Sequence, residues 1–390
     1  MPLADIAESW LAGHYDDLVA WRRHIHRHPE LGRQEFATTQ FVADRLVEAG
    51  LNPKVLPDGT GLTCDFGPDY APRIALRADM DALPMTERTG APYASTVPGV
   101  AHACGHDAHT AMLLGAATAL ASAPELPLGV RLIFQPAEEL MPGGALDAIA
   151  AGALAGVSRI FALHCDPRLA VGRVAITPGP ITSAADSVEI TLHSAGGHTS
   201  RPHLTSDLVY GMGTVITGLP GVLSRRIDPR HSTVMVWGAA NAGVAANAIP
   251  QIGTLAGTVR TASREAWLEM ENLVQETISG LLAPLGIEHS LQYRRGVPPV
   301  VNEERCTQIM THAIEAVGPE ALADTRQSGG GEDFSWYLEQ VPGAMARRGV
   351  WDGRGEQLDL HQPNFDLDER ALAIGVRVLV NIIEQSVAFE

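Results

Sequence analysis

The string HACGHDAH, residues 102–109, sets a thiol at Cys104 two positions before an imidazole at His106, with His102 and His109 on either side. A Cys and a His at that spacing on a turn can both reach one metal centre, and a helix starting just after them draws the thiol toward thiolate. The same string also suits a buried structural cysteine among histidines satisfied by backbone groups, since one Cys-x-His pair is no zinc-finger signature. Adjacent carboxylates follow at Glu138 and Glu139, after the apolar run VRLIFQP. Neighbouring carboxylates repel unless a cation offsets them. One can then ligate metal while the other serves as general base toward water. Taken alone, the pair equally fits two solvated glutamates opening a loop. His164 follows IFAL, Asp79 and Asp81 follow IALRA, and His361 lies in LDLHQPNF. Each is commonplace singly. Together they recur at the carboxyl ends of several expected strands, where open α/β sheets place their active sites.

Residues 1–180 alternate short apolar strands with amphipathic helices, the α/β signature. Residues 74–78, 130–134 and 159–163 are expected as buried strands. Residues 34–49 are expected as a helix with Phe36, Val42, Leu46 and Val47 on its apolar side, stopped by Gly50. Asp107 is placed to cap a helix running through AHTAMLLGAATALASA. From residue 185 to 296 the pattern changes to β-α-β-β-α-β, the ferredoxin-like order, with helices over residues 206–219 and 264–282. That stretch holds eight arginines against nine acids, so nearly all of the chain's net charge of -17 lies outside it. It reads as a domain, residues 185–296, inserted into an α/β domain of residues 1–184 and 297–390 that closes with a helix over 369–386.

Composition narrows the function. A chain of 390 residues with 45% hydrophobic and 19% charged residues has the material for two domains and a large core. The acidic balance disfavours nucleic acid or an anionic membrane as partner, because both call for a basic footprint. No apolar stretch in the sequence looks to reach the ~18 residues of a membrane span, and the start MPLADIAESW shows no secretory pattern. Four scattered cysteines, Cys64, Cys104, Cys165 and Cys306, do not make a disulfide scaffold. A cytoplasmic location is expected.

Read in order, the strings WRRHIHRHPELG, LRADMDALPM, HACGHDAH, QPAEE, LHCDP, GGHTSRPH, NAIP, GTVRT, GGEDFSWY and LHQPNF run nearly end to end. Together they resemble the M20 metallopeptidase family, in its amidohydrolase branch of hippurate hydrolases, N-acyl amino acid amidohydrolases and auxin-conjugate hydrolases, as found in actinobacteria. The resemblance implies a zinc-peptidase-like catalytic domain, a mixed sheet flanked by helices, with the inserted ferredoxin-like domain as lid and dimerisation domain. It implies two divalent metal ions held by Cys104, His106, Glu139, His164 and His361, with the Cys104 thiolate bridging and Glu138 as catalytic base. Such mixed sulfur, nitrogen and oxygen donors suit Zn, Mn, Co or Ni. It also implies that Asp81 orients a ligand histidine, that His198 stabilises the developing oxyanion, and that Asn247 contacts substrate. Asp79 stands where the wider family has a ligand histidine, which this branch replaces by His106. Thr199, Ser200 and Arg201 depart from the small or apolar residues usual after that position of His198, a departure that bears on substrate preference.

The expected reaction is hydrolysis of an N-acyl amino acid to a carboxylic acid and an amino acid, by a homodimer formed through the inserted domain. Arg201 and Arg260 are candidates for the substrate carboxylate, since guanidinium pairs with it bidentately. Gly330, among the glycines before Glu332–Asp333, lets backbone approach the substrate. Two alternatives stand beside this reading. A dipeptidase or aminopeptidase would need an acid for the free ammonium, with Asp79 the obvious candidate. A non-catalytic metal or ligand binder would have no need of Glu138. The other candidates read as structural: Cys64 in a strand core, Cys306 along a helix, Cys165 pointing away from His164, and His24, His26 and His28 packing the first helix.

Overall fold

The computed structural model describes residues 1–69 and 72–389. The chain divides into two compact units: Met1–Gly179 with Val301–Arg326 and Asp333–Glu390, and Pro180–Val300 with Gln327–Glu332. The breaks thus fall at 179/180 and 300/301, not at 184/185 and 296/297. The short segment Gln327–Glu332 also returns to the second unit. Ser328 donates its N–H to Ile181 O there, and Ser183 donates to Gly330 O.

In the first unit an eight-stranded mixed sheet runs in the order Pro53–Val55, Leu62–Phe66, Gly129–Gln135, Arg73–Asp79, Val157–Ala170, Gly343–Trp351, Val174–Ala175, Leu322–Ala323. Its centre is parallel: Arg73–Asp79 pairs with both Gly129–Gln135 and Val157–Ala170, and the latter pairs with Gly343–Trp351. Every residue of Gly129–Gln135 is buried. A continuous apolar run of that kind is what a strand covered on both faces requires. The helix His106–Ala121 is buried along nearly its whole length and packs against Leu3–Arg27 and Arg370–Ser386. Its Gly115 permits that approach, because a Cβ there would press on Val376, Leu18 and Trp10.

Three expectations need correction. The second helix is Phe36–Glu48, and its buried stripe is Thr38, Thr39, Val42, Ala43 and Leu46, while Phe36 and Val47 are exposed. Asp107 caps nothing. Gly105, left-handed at φ 90°, takes the capping position, and Asp107 lies inside the first turn, buried against Arg22 and His26. Finally, Arg370–Phe389 is long and apolar enough to cross a membrane by length and composition. Its apolar face is instead spent on the helices Leu3–Arg27, His106–Ala121 and Glu304–Glu315.

The second unit is a four-stranded antiparallel sheet in the order Val234–Ala242, Ile252–Thr261, Ala184–His193, Glu288–Val297. Numbered along the chain this is 2-3-1-4, the ferredoxin-like order. Two helices, Leu208–Arg226 and Arg264–Leu282, share a core with the sheet through Val188, Ile190, Leu219, Leu255, Met270 and Ile278. The first of them outruns its expected end at 219, because Leu223, one turn beyond Leu219, is buried in the same core.

Candidate metal centre and active site

The start of His106–Ala121, the turn after Gly129–Gln135, the middle of Val157–Ala170, where His164 lies inside the strand and not past its end, and the loop beyond Gly343–Trp351 bring five donors together. Cys104, His106 and His164 form one triple and Cys104, Glu139 and His361 another, with the donor atoms of each triple within 4.8 Å of one another. Cys104 is common to both, the position a bridging thiolate would occupy. Cys104 Sγ lies 3.7 Å from His164 Nε2, and His361 Nε2 lies 3.1 Å from Glu139 Oε1. Glu138 and Glu139 each approach His106 Nε2 to 4.0 Å. His361 itself sits at a left-handed φ of 61°, with its N–H held by Ala103 O at 2.7 Å, next to Cys104.

The imidazole partners decide which nitrogens are available. His106 Nδ1 faces Asp81 O at 3.0 Å, and His164 Nδ1 faces Cys165 O at 2.8 Å. A carbonyl oxygen only accepts, so both rings carry a proton on Nδ1, which leaves Nε2 as the nitrogen that a cation would take. His106 Nε2 is buried and has no hydrogen-bond partner among the described residues. Ring orientation by a carbonyl on the far nitrogen is the usual arrangement around a metal-ligating histidine. The donor set therefore fits a divalent cation.

Electrostatics lead to the same place. Burial and the nearby Glu139 push the Cys104 thiol well above its ordinary range, against the pull of His106. The expected lowering by the helix N-terminus is thus outweighed, and a thiolate at Cys104 requires a cation against it. His106 is held well above its ordinary value: burial opposes its charge, but Asp79 and Cys104 outweigh burial. Glu139 is lowered by His361 and His106 in spite of burial. The site balances its buried charges only with proton or metal present.

Asp81 joins these parts. Its two carboxylate oxygens accept the N–H groups of Glu138, at 3.1 Å, and Glu139, at 3.0 Å, and one of them lies 3.3 Å from His106 Nδ1. Asp79 is differently employed. One oxygen takes His109 Nδ1 at 2.6 Å and the other takes Arg77 at 2.6 Å. Its carboxyl is held well below its ordinary value, because His106, Arg77 and His109 outweigh burial. Asp79 is also fully buried, so it is not presented to a substrate ammonium.

The remaining candidates lie in the second unit. His198 and Asn247 meet on a short ribbon in which Gly197–His198 pairs with Ala248–Ile249 and Thr199 donates to Asn247 O. The Ser200 N–H donates to His198 Nδ1 at 3.1 Å, and Ser200 Oγ lies 2.8 Å from the same atom. That nitrogen accepts, so the ring proton sits on Nε2, the reverse of His106 and His164. Arg201 is exposed. Arg260 donates to Gly329 O at 2.9 Å, and Gly330 O is taken by the Ser183 N–H.

Several residues that shape the site received another role, or none, from the sequence. His109 Nε2 accepts the Cys165 N–H at 2.9 Å, fixing the strand beside His164, and burial pushes His109 down to about 3. Cys165 Sγ faces His109 and Arg348. Arg77, Gln135 and Asp333 form a buried chain of hydrogen bonds behind Asp79. His26, expected to pack the first helix, bridges Asp107 and Glu87. Only the buried setting of these polar types, invisible in one sequence, marks them.

An α/β scaffold with a buried thiol, imidazole and carboxylate donor set defines a metallohydrolase class, and comparison with known proteins agrees. Residues 75–385 match peptidase family M20/M25/M40, and the chain belongs to that family of metal-dependent hydrolases. It is 38% identical to an N-acetyl-L-cysteine deacetylase of Bacillus subtilis (strain 168), over 91% of this chain and 84% of the relative. It is 59% identical to a Rhodococcus jostii (strain RHA1) protein named putative glutamate–cysteine ligase 2-3, over 93% of this chain. That match covers 46% of the relative, so the chain spans about half its length. Among solved structures, a Bacillus subtilis protein described as a dinuclear metal binding peptidase from the M20 family superposes with a TM-score of 0.84. It is 33% identical, over 95% of this chain and 98% of that one.

Proposed function

We propose that this chain hydrolyses the amide bond of N-acyl amino acids with two divalent metal ions, Zn, Mn, Co or Ni. The observation that carries the reading is Asp81, whose carboxylate clamps the amides of both Glu138 and Glu139 while lying against His106. One residue thereby sets the base, a carboxylate donor and an imidazole donor in fixed relation. A metal-binding protein without chemistry has no need of that second, non-ligating carboxylate.

Cys104, His106, Glu139, His164 and His361 would hold the ions, with Cys104 shared. Bound metal supplies Lewis-acid polarisation and makes water more acidic. Glu138 takes the proton from the attacking water, and the resulting oxygen nucleophile adds to the amide carbonyl. His198, protonated on Nε2, donates a hydrogen bond to the oxygen that becomes negative. Glu138 then returns its proton to the leaving nitrogen as the C–N bond breaks, releasing an acid and an amine. His198 serves its own chain or a dimer partner.

The substrate class draws support from two sides. The deacetylase relative is named for an N-acyl amino acid. The peptidase alternative has less support, because Asp79 is fully buried and engaged by Arg77 and His109. A homodimer through the second unit completes the reading. Val234–Ala242 is an edge strand of its sheet, with Val234 and Val236 exposed, and such edges are commonly paired or covered. We assign the protein to the cytoplasm, where its four unpaired cysteines would stay reduced.

The test is to reconstitute the protein with each metal, count bound ions by elemental analysis, and compare N-acyl amino acids with the matching free-amine dipeptides. Two ions per chain and higher kcat/KM on the acyl substrates are expected. One ion, or equal rates on free dipeptides, would move the protein to the alternative reading. Light scattering at micromolar concentration should give a dimer.

A further inference from the structure

We propose that Glu35 is a positioning residue for the Glu138–Glu139 pair, acting through the backbone of Ala137. The proposal rests on the reading of Glu138 as the base. Three successive amides lead into and through the pair, and each donates to a buried carboxylate. Ala137 N–H reaches Glu35 Oε1 at 2.7 Å, and the next two amides reach Asp81. Asp81 therefore holds only part of the turn, and Glu35 supplies its first anchor.

The anchored residue is one that needs anchoring. Ala137 is fully buried with φ at 56°, in the left-handed region. For a residue with a Cβ that conformation is unfavourable and persists only where surroundings impose it. Here both of its backbone polar groups are fixed: Glu35 takes the N–H, and Gly144 donates to its carbonyl at 2.9 Å. The left-handed step is what turns the chain from the strand Gly129–Gln135 into the two glutamates. Were Ala137 to relax toward an ordinary conformation, both carboxylates would move together.

The commonplace role for an acid at this place is to cap the helix Phe36–Glu48, and Glu35 does not fill it. Its side chain makes no capping bond. Glu30 does that work instead, accepting from the amides of Ala37 at 3.0 Å and Thr38 at 2.7 Å. The Glu35 segment is in turn docked beside Asp81, since Leu31 bridges Ala82 and Ala82 donates to Glu30 O. Glu35 is fully buried, and its second oxygen, Oε2, has no hydrogen-bond partner among the described residues. Burial pushes its carboxyl up to about 7. Burying an acid for so few hydrogen bonds is costly. The bond it makes is the one that fixes the turn.

Three variants at this position, with E138Q measured alongside, test the proposal through kcat, KM, bound metal and thermal midpoint. E35A loses the acceptor, and E35D keeps the charge but falls one methylene short. Both should lower kcat by ~10–10²-fold with KM nearly unchanged, the loss expected when catalytic groups shift by about an ångström. E35Q keeps the length and the acceptor and should recover most of kcat. Equal damage in E35Q and E35D overturns the proposal, as does E35A with lowered stability and intact kcat. Should E35A fail to fold, the E35Q and E35D pair decides alone. E138Q separates the two layers: wild-type kcat there refutes the base, whereas a dead E138Q with an indifferent E35D refutes only the positioning role.

Discussion

His106 and His164 in the first unit and His198 in the second turn the same ring nitrogen to opposite kinds of partner, an acceptor for the first two and a donor for the third. The first two donate from Nδ1 to backbone carbonyls, which leaves Nε2 for a cation. His198 receives the Ser200 N–H on Nδ1 and offers an Nε2 proton. A lone pair suits a cation, and a proton suits a developing oxyanion. The settings differ in the same sense. His106 is fully buried among Asp79, Asp81 and the two glutamates, while His198 lies exposed on a two-stranded ribbon. One unit carries a buried, charge-dense donor set, and the other carries exposed polar groups.

The hardest test of that division lies within the first unit. Glu138→Gln should keep its metal and lower kcat by ~10²–10⁴-fold, because it removes a base. Glu139→Gln should lose metal first and activity as a consequence. Elemental analysis beside steady-state rates distinguishes them, and exchanged phenotypes would reverse the roles of the pair.

Next comes His198→Ala, which on the proposed reading removes one donor to the oxyanion. A loss of ~10²–10³-fold in kcat is expected from such a donor. Metal content should stay at the wild-type level, since His198 belongs to the ribbon and not to the donor triples. Metal loss in this variant would break the division of labour between the two units.

What one sequence reveals follows the same line. Cys104, His106, Glu139, His164 and His361 were legible because ligand types recur at strand ends and in an ordered series of strings. The βαββαβ order was legible because its strands alternate and its helices are long. Glu35 and His109 were not, since each acts through a backbone amide far away in sequence, on Ala137 and Cys165. Asp107 was misread because the left-handed Gly105 supplies the helix start that an acid ordinarily would. The return of Gln327–Glu332 to the second unit depends on backbone hydrogen bonds that leave no composition signal.

Burial of charge in the first unit should also make stability depend on pH. His26, nearly fully buried between Asp107 and Glu87, is raised to about 9: burial opposes its charge, and the two carboxylates outweigh it. A folded value above the unfolded one means that its contribution is complete below about 6.5 and is lost as pH rises through 9. The shift corresponds to on the order of 3 kcal/mol at most. His26→Gln should therefore melt below wild type at pH 6, with the gap closing by pH ~10. A gap independent of pH would show that His26 acts by packing alone.

The smallest expected effect concerns the substrate carboxylate and belongs to the exposed side of the comparison. Of the two arginines suited to it, Arg260 already spends a guanidinium N–H on Gly329 O. Arg201 is exposed and directly follows the His198 turn, its own N–H donating to His198 O at 2.9 Å. A substrate whose carbonyl oxygen meets His198 would bring its carboxylate within reach of a guanidinium three residues on. Arg201→Ala should accordingly lower kcat/KM by about tenfold, the worth of one charged contact, and Arg260→Ala by less. Amidating the substrate carboxylate should cost wild type the same factor and cost Arg201→Ala almost nothing, because the partner is already gone. If amidation penalises both enzymes equally, the carboxylate is read elsewhere. The departure at Thr199, Ser200 and Arg201 would then reduce to the tautomer of His198.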